Sequence, residues 1–191
     1  MAGKSPLILA SASPRRKQLL AEAGYEFSIV IPNIDESSFV AEGLSPVEYA
    51  QQLARAKARS VAEKFPHSLV IAADTVVDFQ GEVIGKPADA KEAERVTRKL
   101  FGAPHRVITA VAIVKLSRGL EIVESDTATV YPRKMSDEQI AAHIKTGSWR
   151  DKAGAYAIQE AGDEFIERIE GSLTNVMGLP MELVTRLLEQ L

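Results

Sequence analysis

Apolar and polar positions along this chain follow two rhythms, one of strands and one of helices. Residues 6–11 (PLILAS) are a short apolar run of the kind that forms a buried strand. Ser13-Pro14 follows with the chemistry of a helix start, a hydroxyl cap and then proline at the first helical position. Helix is expected through Arg16, Leu19, Leu20 and Ala23, with Gly24 as its stop. Residues 25–31 (YEFSIVI) read as a second strand and 32–45 as a loop. Ser45-Pro46-Val47-Glu48 is a capping box that opens a helix to about Lys64. Residues 68–79 carry the β-rich run LVIAADTVV, and Gln80-Gly81 turns it into a short strand, Glu82 to Ile84. Helix is expected at 89–100, then two strands at 106–116 and 121–131 joined at Arg118-Gly119. A second capping box, Ser136 to Gln139, starts a helix ending near Gly147; a strand at 164–170 and a helix opened by Pro180 complete the series. Early alternation of strand and helix, with hairpins later, predicts an α/β fold with a mixed sheet.

Composition narrows the functions open to such a fold. The 191 residues fit one domain spanning 1–191, at ~150 residues per domain. With 23 basic against 26 acidic residues the net charge is −3, which weighs against electrostatic coating of nucleic acid. It leaves room for a small anionic ligand held by a few local cations. The absence of cysteine excludes disulfides, thiolate zinc sites and cysteine nucleophiles. His67, His105 and His143 are far apart and make no HExxH pattern, so a histidine metal site is not expected. No apolar run is long enough to span a membrane, and the run near the start is too short for a secretory signal. A cytoplasmic protein is the expectation.

Several residues do not suit a purely structural role. Ser11-Ala12-Ser13 sits between strand and helix with two hydroxyls and free backbone N–H groups. Arg15 and Arg16 lie in the first helical turn, where cations oppose the helix dipole. They are either solvated or waiting for an anion, which helix N-termini bind. Lys57 is four residues from Leu53 and from Val61, on the apolar stripe of its helix, so it must snorkel or meet an anion. Asp74 follows LVIAA and is expected at the end of a buried strand, where a carboxylate needs a partner, a metal or a raised pKa. Asp35-Glu36 in a loop could be solvated, or could join Asp74 around Mg²⁺, which prefers oxygen ligands. Lys86 sits in the tight segment Gly85-Lys86-Pro87. In residues 152–159 (KAGAYAIQ), small residues admit a flat ligand, Gln159 can read a base edge, and Tyr156 is a stacking candidate, or the segment is an ordinary tight strand. Several cations and a few acids suit a metal-bound polyphosphate.

The segments LILASASPRRKQLL, IDE, LARAKA, IAADTVV, GEVIGKP, DKAGAYAIQ and GSLTNVMGLP occur in this order over nearly the whole chain. Jointly they resemble the Maf family of nucleoside triphosphate pyrophosphatases. The resemblance implies an elongated mixed-sheet α/β fold related to inosine triphosphatases, with two lobes around a central cleft. It implies hydrolysis of a nucleoside triphosphate to the monophosphate and pyrophosphate with a divalent cation, Mg²⁺ or Mn²⁺, and commonly a homodimer. By the same resemblance Ser13, Arg15 and Arg16 contact phosphate, while Glu36, Lys57, Asp74 and Lys86 serve catalysis. Glu36 and Asp74 hold the metal, and Asp74 accepts the proton. Arg15, Thr75 and Gln159 match the branch that acts on dTTP and UTP, while Asn175 is shared with broader-specificity members. Alternatives are a broader or 7-methyl-GTP specificity, or a nucleotide-binding regulator of cell division with little turnover. No nucleic-acid or membrane partner is expected.

Overall fold

The computed structural model describes residues 6–150, 152–156 and 165–191. Its strands are β1 (Leu7–Ala10), β2 (Ser28–Val30), β3 (Leu69–Phe79), β4 (Glu82–Ile84), β5 (His105–Lys115), β6 (Leu120–Pro132) and β7 (Ile166–Glu170). The helices are α1 (Pro14–Glu22), α2 (Pro46–Ala62), α3 (Ala90–Leu100), α4 (Asp137–Thr146), α5 (Leu173–Val176) and α6 (Met181–Glu189). The strands form one mixed sheet in the order β2-β1-β3-β5-β6-β7, with β4 paired to β3 off that path. Among the described residues only the β1 pairings, to β2 and β3, are parallel. Both expected capping boxes form, at Ser45/Glu48 and Ser136/Gln139.

Side chains on β3 and β5 alternate between the two faces of the sheet. Val70, Ala72 and Val76, with Ile108, Ala110 and Ala112, face α2 and meet its Ala50, Ala54, Ala58 and Val61. The small residues on both sides let α2 lie close to the sheet. The opposite face carries two separate clusters. In one, Ile71, Ala73, Val111 and Ile113 pack against Leu19 and Leu20 of α1 and Leu183, Val184 and Leu187 of α6. In the other, Val77 and Val107 pack against Val96 and Leu100 of α3 and Ile140 of α4. The strand register sets Thr75 opposite Thr109 between these clusters. Two lobes therefore share one sheet, and a polar pair marks the seam, in line with the expected fold class.

One edge of β3 is paired along most of its length by β5, from Val70 to Asp78. The other edge is covered at Leu69–Ile71 by β1 and at Val77–Phe79 by β4. Ala72–Val76 lies in the gap between them, and α1 begins just past the end of β1. Asp74 is thus not at the end of a strand, as its sequence context suggests, but in the middle of one. It is reachable because a neighbouring strand stops short. The expected strand at 25–31 shrinks to Ser28–Val30, since β1 offers only Ile8–Ala10 as partners. Tyr25 and Phe27 pack against the α1/α6 cluster instead. The region 152–156 is not a strand. Ala153–Ala155 makes a tight helical turn in which Gly154 has φ +74°, and a Cβ there would meet Leu100 and Val77 at 2.9 Å.

His105 opens β5 at 3% exposure. Its Nδ1 lies 3.4 Å from the Ala103 carbonyl and its Nε2 2.6 Å from the Tyr156 hydroxyl. A carbonyl only accepts, so Nδ1 carries the proton and Nε2 accepts from Tyr156. Burial pushes the imidazole below its ordinary range, against the carbonyl contacts of Ala103 and Leu100. The unfolded chain then binds a proton that the folded one refuses. This part of the stability is complete above the unfolded pKa of ~6.5 and is lost as pH falls through it. The urea midpoint of the wild type is expected to drop between about pH 7.5 and 5.5, and His105→Asn to show a flatter dependence. Equal slopes for the two proteins would remove His105 as the cause.

Candidate functional site

Three elements converge at the bare stretch of β3. Asp74 and Thr75 are neighbours on an extended strand, so they point to opposite faces. Asp74 faces α2, where Lys57 lies two turns beyond Tyr49 on the same helical face. Lys57 and Asp74 are each only 7% exposed. The Lys57 ammonium donates to Asp74 Oδ1 at 2.6 Å and pairs with Glu36 Oε1 at 2.9 Å. The other Glu36 oxygen, Oε2, is 3.5 Å from the exposed Lys86 ammonium. Of the two outcomes open to a lysine on an apolar stripe, snorkelling or meeting an anion, Lys57 takes the second, and it meets two anions.

The loop expected at 32–45 contains a short turn, Glu36–Ser38, that explains how one of two adjacent acids reaches the site. Asp35 caps this turn, its carboxylate accepting from Ser37 N–H at 3.0 Å and from Ser37 Oγ at 2.6 Å. That commits Asp35 locally and leaves Glu36 to face Lys57. Of the pair Asp35-Glu36, only Glu36 therefore joins Asp74.

On the other face, Arg16 donates from Nη2 to Thr75 Oγ1 at 3.0 Å and from Nε to the Gly178 carbonyl at 2.7 Å. Ser13 caps α1, its Oγ accepting from Arg16 N–H at 3.4 Å, while its own N–H donates to Ser11 Oγ at 3.1 Å. Both loop hydroxyls are therefore turned towards backbone N–H groups. Arg15, half-buried beside Arg16, has no hydrogen-bond or ion-pair partner among the described residues. Tyr156 binds His105 and packs edge-on against Phe101 at 5.4 Å, which ties it into the α3/α4 cluster. Gln159 lies outside the described residues.

The electrostatics follow from burial inside a small set of charges. Burial raises the Asp74 carboxyl above its ordinary range, outweighing the pull of Lys57 and Arg16 in the other direction. Glu36 also pays for burial, but the hydrogen bond and charge of Lys57, with Lys86 beyond, hold it below its ordinary range. Burial lowers the Arg16 guanidinium, opposed by Asp74 and Glu36, and burial lowers Arg15 as well. Asp74 Oδ2 carries no hydrogen bond among the described residues and is not sealed from solvent. The site thus offers a carboxylate with a raised proton affinity and one bare oxygen, beside cations on both faces of the strand.

The described residues include no group of three or more metal-ligating side chains. Lys57 Nζ occupies the point where Glu36 Oε1 and Asp74 Oδ1 meet, so the hard oxygen donors left for an ion are Asp74 Oδ2 and Glu36 Oε2, from two elements. One or two carboxylates, with the rest of the shell from phosphate and water, is the usual mode for Mg²⁺. The donor set fits such an ion.

Reading the sequence alone misses three contributors and names a fourth, Asn175, only for specificity. Tyr49 on α2 feels the charges of Asp74 and Glu36, which together with burial raise its phenol. The Gly178 carbonyl takes the Arg16 Nε–H. Thr109 and Asn175 brace Thr75 from below, and both are fully buried. A lone hydroxyl inside the apolar run VITAVAIV is the only sequence signal for Thr109. Removing Lys57 leaves a buried carboxylate without its main partner, which costs ~3–5 kcal/mol in comparable pairs. Lys57→Met is therefore expected to lose ~3 kcal/mol in urea unfolding at neutral pH, with part regained when Asp74→Asn is added. Strictly additive losses would show that the pair is not coupled.

Comparison with known proteins places these residues in context. The family model described as "Maf-like protein" matches residues 6–191. A dTTP/UTP pyrophosphatase of Geotalea uraniireducens is 46% identical, over 95% of this chain and 92% of its own. One from Bdellovibrio bacteriovorus is 43% identical, over 98% and 99% respectively. Among solved structures, the Staphylococcus aureus Ham1 protein aligns over 97% of this chain and 99% of its own, with a TM-score of 0.57 at 12% identity. That likeness is one of fold.

Proposed function

The chain belongs to the Maf-like family, and on that premise we propose that it hydrolyses dTTP and UTP to the nucleoside monophosphate and pyrophosphate. The observation that carries this reading is the convergence of Lys57, Glu36 and Arg16 on the bare stretch of β3 at Asp74-Thr75. The 43–46% identity to proteins named for this activity, over nearly the full length, supports the substrate. Residues 1–191 act as one domain in this reading.

In the proposed reaction a water is oriented by the bare Oδ2 of Asp74. The water oxygen bonds to the α-phosphorus, and the bond from that phosphorus to the bridging oxygen breaks. Pyrophosphate leaves with the electron pair, and Asp74 holds the water's proton. The ordinary Asp pKa of ~3.9 makes a weak base at neutral pH. Burial improves Asp74 in that role by raising its proton affinity, and Lys57 keeps the carboxylate aimed by holding Oδ1. Glu36 aligns Lys57 and, with Asp74, would hold a divalent cation, Mg²⁺ or Mn²⁺, against the substrate phosphates. Such an ion supplies charge neutralisation and a more acidic water when bound. Arg15, Arg16 and Lys86 bind the phosphate chain and stabilise the charge that develops on its oxygens. Ser13 contributes through the N-terminus of α1. Thr75 and Gln159 belong to base selection by the family resemblance. The same resemblance implies a homodimer, and the composition carries the expectation of a cytoplasmic protein; no helix among the described residues is long and apolar enough to cross a membrane.

The test is pyrophosphate release by the purified protein with Mg²⁺ or Mn²⁺ from dTTP, UTP, CTP, GTP and 7-methyl-GTP offered separately. Release from dTTP and UTP is expected, and Asp74→Asn is expected to keep the fold and lose ~10²–10⁴ of turnover. Equal release from every nucleotide would keep the chemistry and end the pyrimidine assignment. Tight binding of dTTP without release would favour a nucleotide-binding regulator.

A further inference from the structure

We infer that Thr109 and Asn175 are positioning residues for Arg16, acting through Thr75, and that the Thr75 hydroxyl has no proton left to offer a substrate. The inference rests on the reading of Arg16 as a phosphate contact. It starts from the buried end of a hydrogen-bonded chain. Thr109 Oγ1 donates to the Asn175 carbonyl at 2.8 Å. A hydroxyl has one proton, so Thr109 has none for its neighbour. The 2.9 Å contact between the two threonine hydroxyls is therefore donated by Thr75. Thr75 in turn accepts from Arg16 Nη2 at 3.0 Å. Every donor points the same way, from Arg16 to Thr75 to Thr109 to the Asn175 carbonyl, and bonds aligned in series polarise one another.

The far end of this relay is fixed to the sheet. Asn175 is 0% exposed. Its side-chain Oδ1 accepts from Thr109 N–H at 3.1 Å, and its Nδ2 donates to the Val107 carbonyl at 2.8 Å. Its carbonyl accepts a second bond, from Gly178 N–H at 2.9 Å. The Gly178 carbonyl then takes Arg16 Nε–H at 2.7 Å. One turn, braced by one asparagine, thus holds the guanidinium at two points. Gly178 has φ +104°, and a Cβ there would lie 3.4 Å from Thr75 Oγ1 and 3.6 Å from Arg16 Nε, so the turn closes on both groups. Arginine has five N–H donors, and neither acceptor that holds Arg16 is charged. Among the described residues the cation is oriented without being neutralised by direct pairing, and its remaining donors are left for an anion. In this arrangement Thr75 influences the substrate by setting Arg16, and does not donate to the base.

The test compares Thr109→Val and Thr109→Ser in the full chain, each alone and on an Arg16→Ala background. Valine keeps the volume and removes the hydroxyl; serine restores the hydroxyl. The readouts are the unfolding temperature, calorimetric binding of inorganic pyrophosphate, and the exchange rate of the Arg16 Nε–H in nitrogen-labelled protein. Thr109→Val is expected to bind pyrophosphate about tenfold more weakly, the scale of one hydrogen bond to a charged group. It is also expected to speed exchange at Arg16. Thr109→Ser should return both towards wild type, and Thr109→Val should add nothing once Arg16 is gone. Unchanged binding and exchange in folded Thr109→Val, or the same loss on the Arg16→Ala background, would overturn the relay. If Thr109→Val does not fold, Thr75→Val breaks the next link at a half-buried position and is judged by the same readouts. Turnover of dTTP is scored separately. A wild type that holds Arg16 but releases no pyrophosphate would sink the enzymatic reading and leave the relay standing.

Discussion

A lysine ammonium buried between two carboxylates is the constraint around which this site is built. Removing a charge from water is costly unless partners replace the water. Lys57 meets that condition only because Asp74 and Glu36 reach it from different elements. The pairing needs α2 close to the sheet, and the alanines at 50, 54 and 58, packed in one cluster with β3 and β5, make that approach sterically possible. It also needs the turn at Glu36–Ser38, since Glu36 must face inward while Asp35 caps the turn. The same desolvation that makes the pair demanding raises the proton affinity of Asp74. Stability and chemistry at this point therefore have one physical origin.

The second organising feature is what the sheet leaves unpaired. Between the end of β1 and the start of β4 pairing, the edge of β3 at Ala72–Val76 has no neighbouring strand among the described residues. A bare strand edge in the middle of a molecule gives access to backbone and side chains on both faces at once. Asp74 serves one face and Thr75 the other, one residue apart. Arg16 of α1 arrives at the gap because α1 follows directly from β1, whose early end creates it. On the Thr75 face, the two hydrophobic clusters stop on either side of the Thr75–Thr109 pair. The polar seam is where the lobes meet, and Asn175 closes it by bonding to the backbone of β5.

Much of the fold was legible because local chemistry and tertiary packing agree in it. Proline at the first helical position, two capping boxes and the Gln80-Gly81 turn each mark a boundary that the structure keeps. Lys57 was legible for a different reason: its spacing from Leu53 and Val61 puts it on the apolar face of the helix, where it had either to snorkel or to meet an anion. Asp35 and Glu36 were not separable by sequence. Which of two adjacent acids turns inward depends on a hydrogen bond to Ser37 that no periodicity encodes. Tyr156 read as a stacking candidate because aromatic residues near a ligand and aromatic residues in a core look alike along a chain. Its bond to His105 is made across 51 residues.

By itself the sequence determined the helix caps, the alternation that gives each strand its two faces, and the identity of the cations and acids. These depend on neighbours within a turn or two, where spacing alone sets geometry. Only the tertiary structure decided where β1 would stop along β3, and so which residues of a long apolar strand stay reachable. It alone turned Asp74 from a residue expected at a strand end into a buried one reached through a gap in mid-strand. It alone joined Arg16 to Gly178 across 162 residues and to Asn175 through two threonines. The physical reason is that hydrogen bonds and ion pairs between distant elements are chosen by how the sheet and helices pack, and packing is a property of the whole chain.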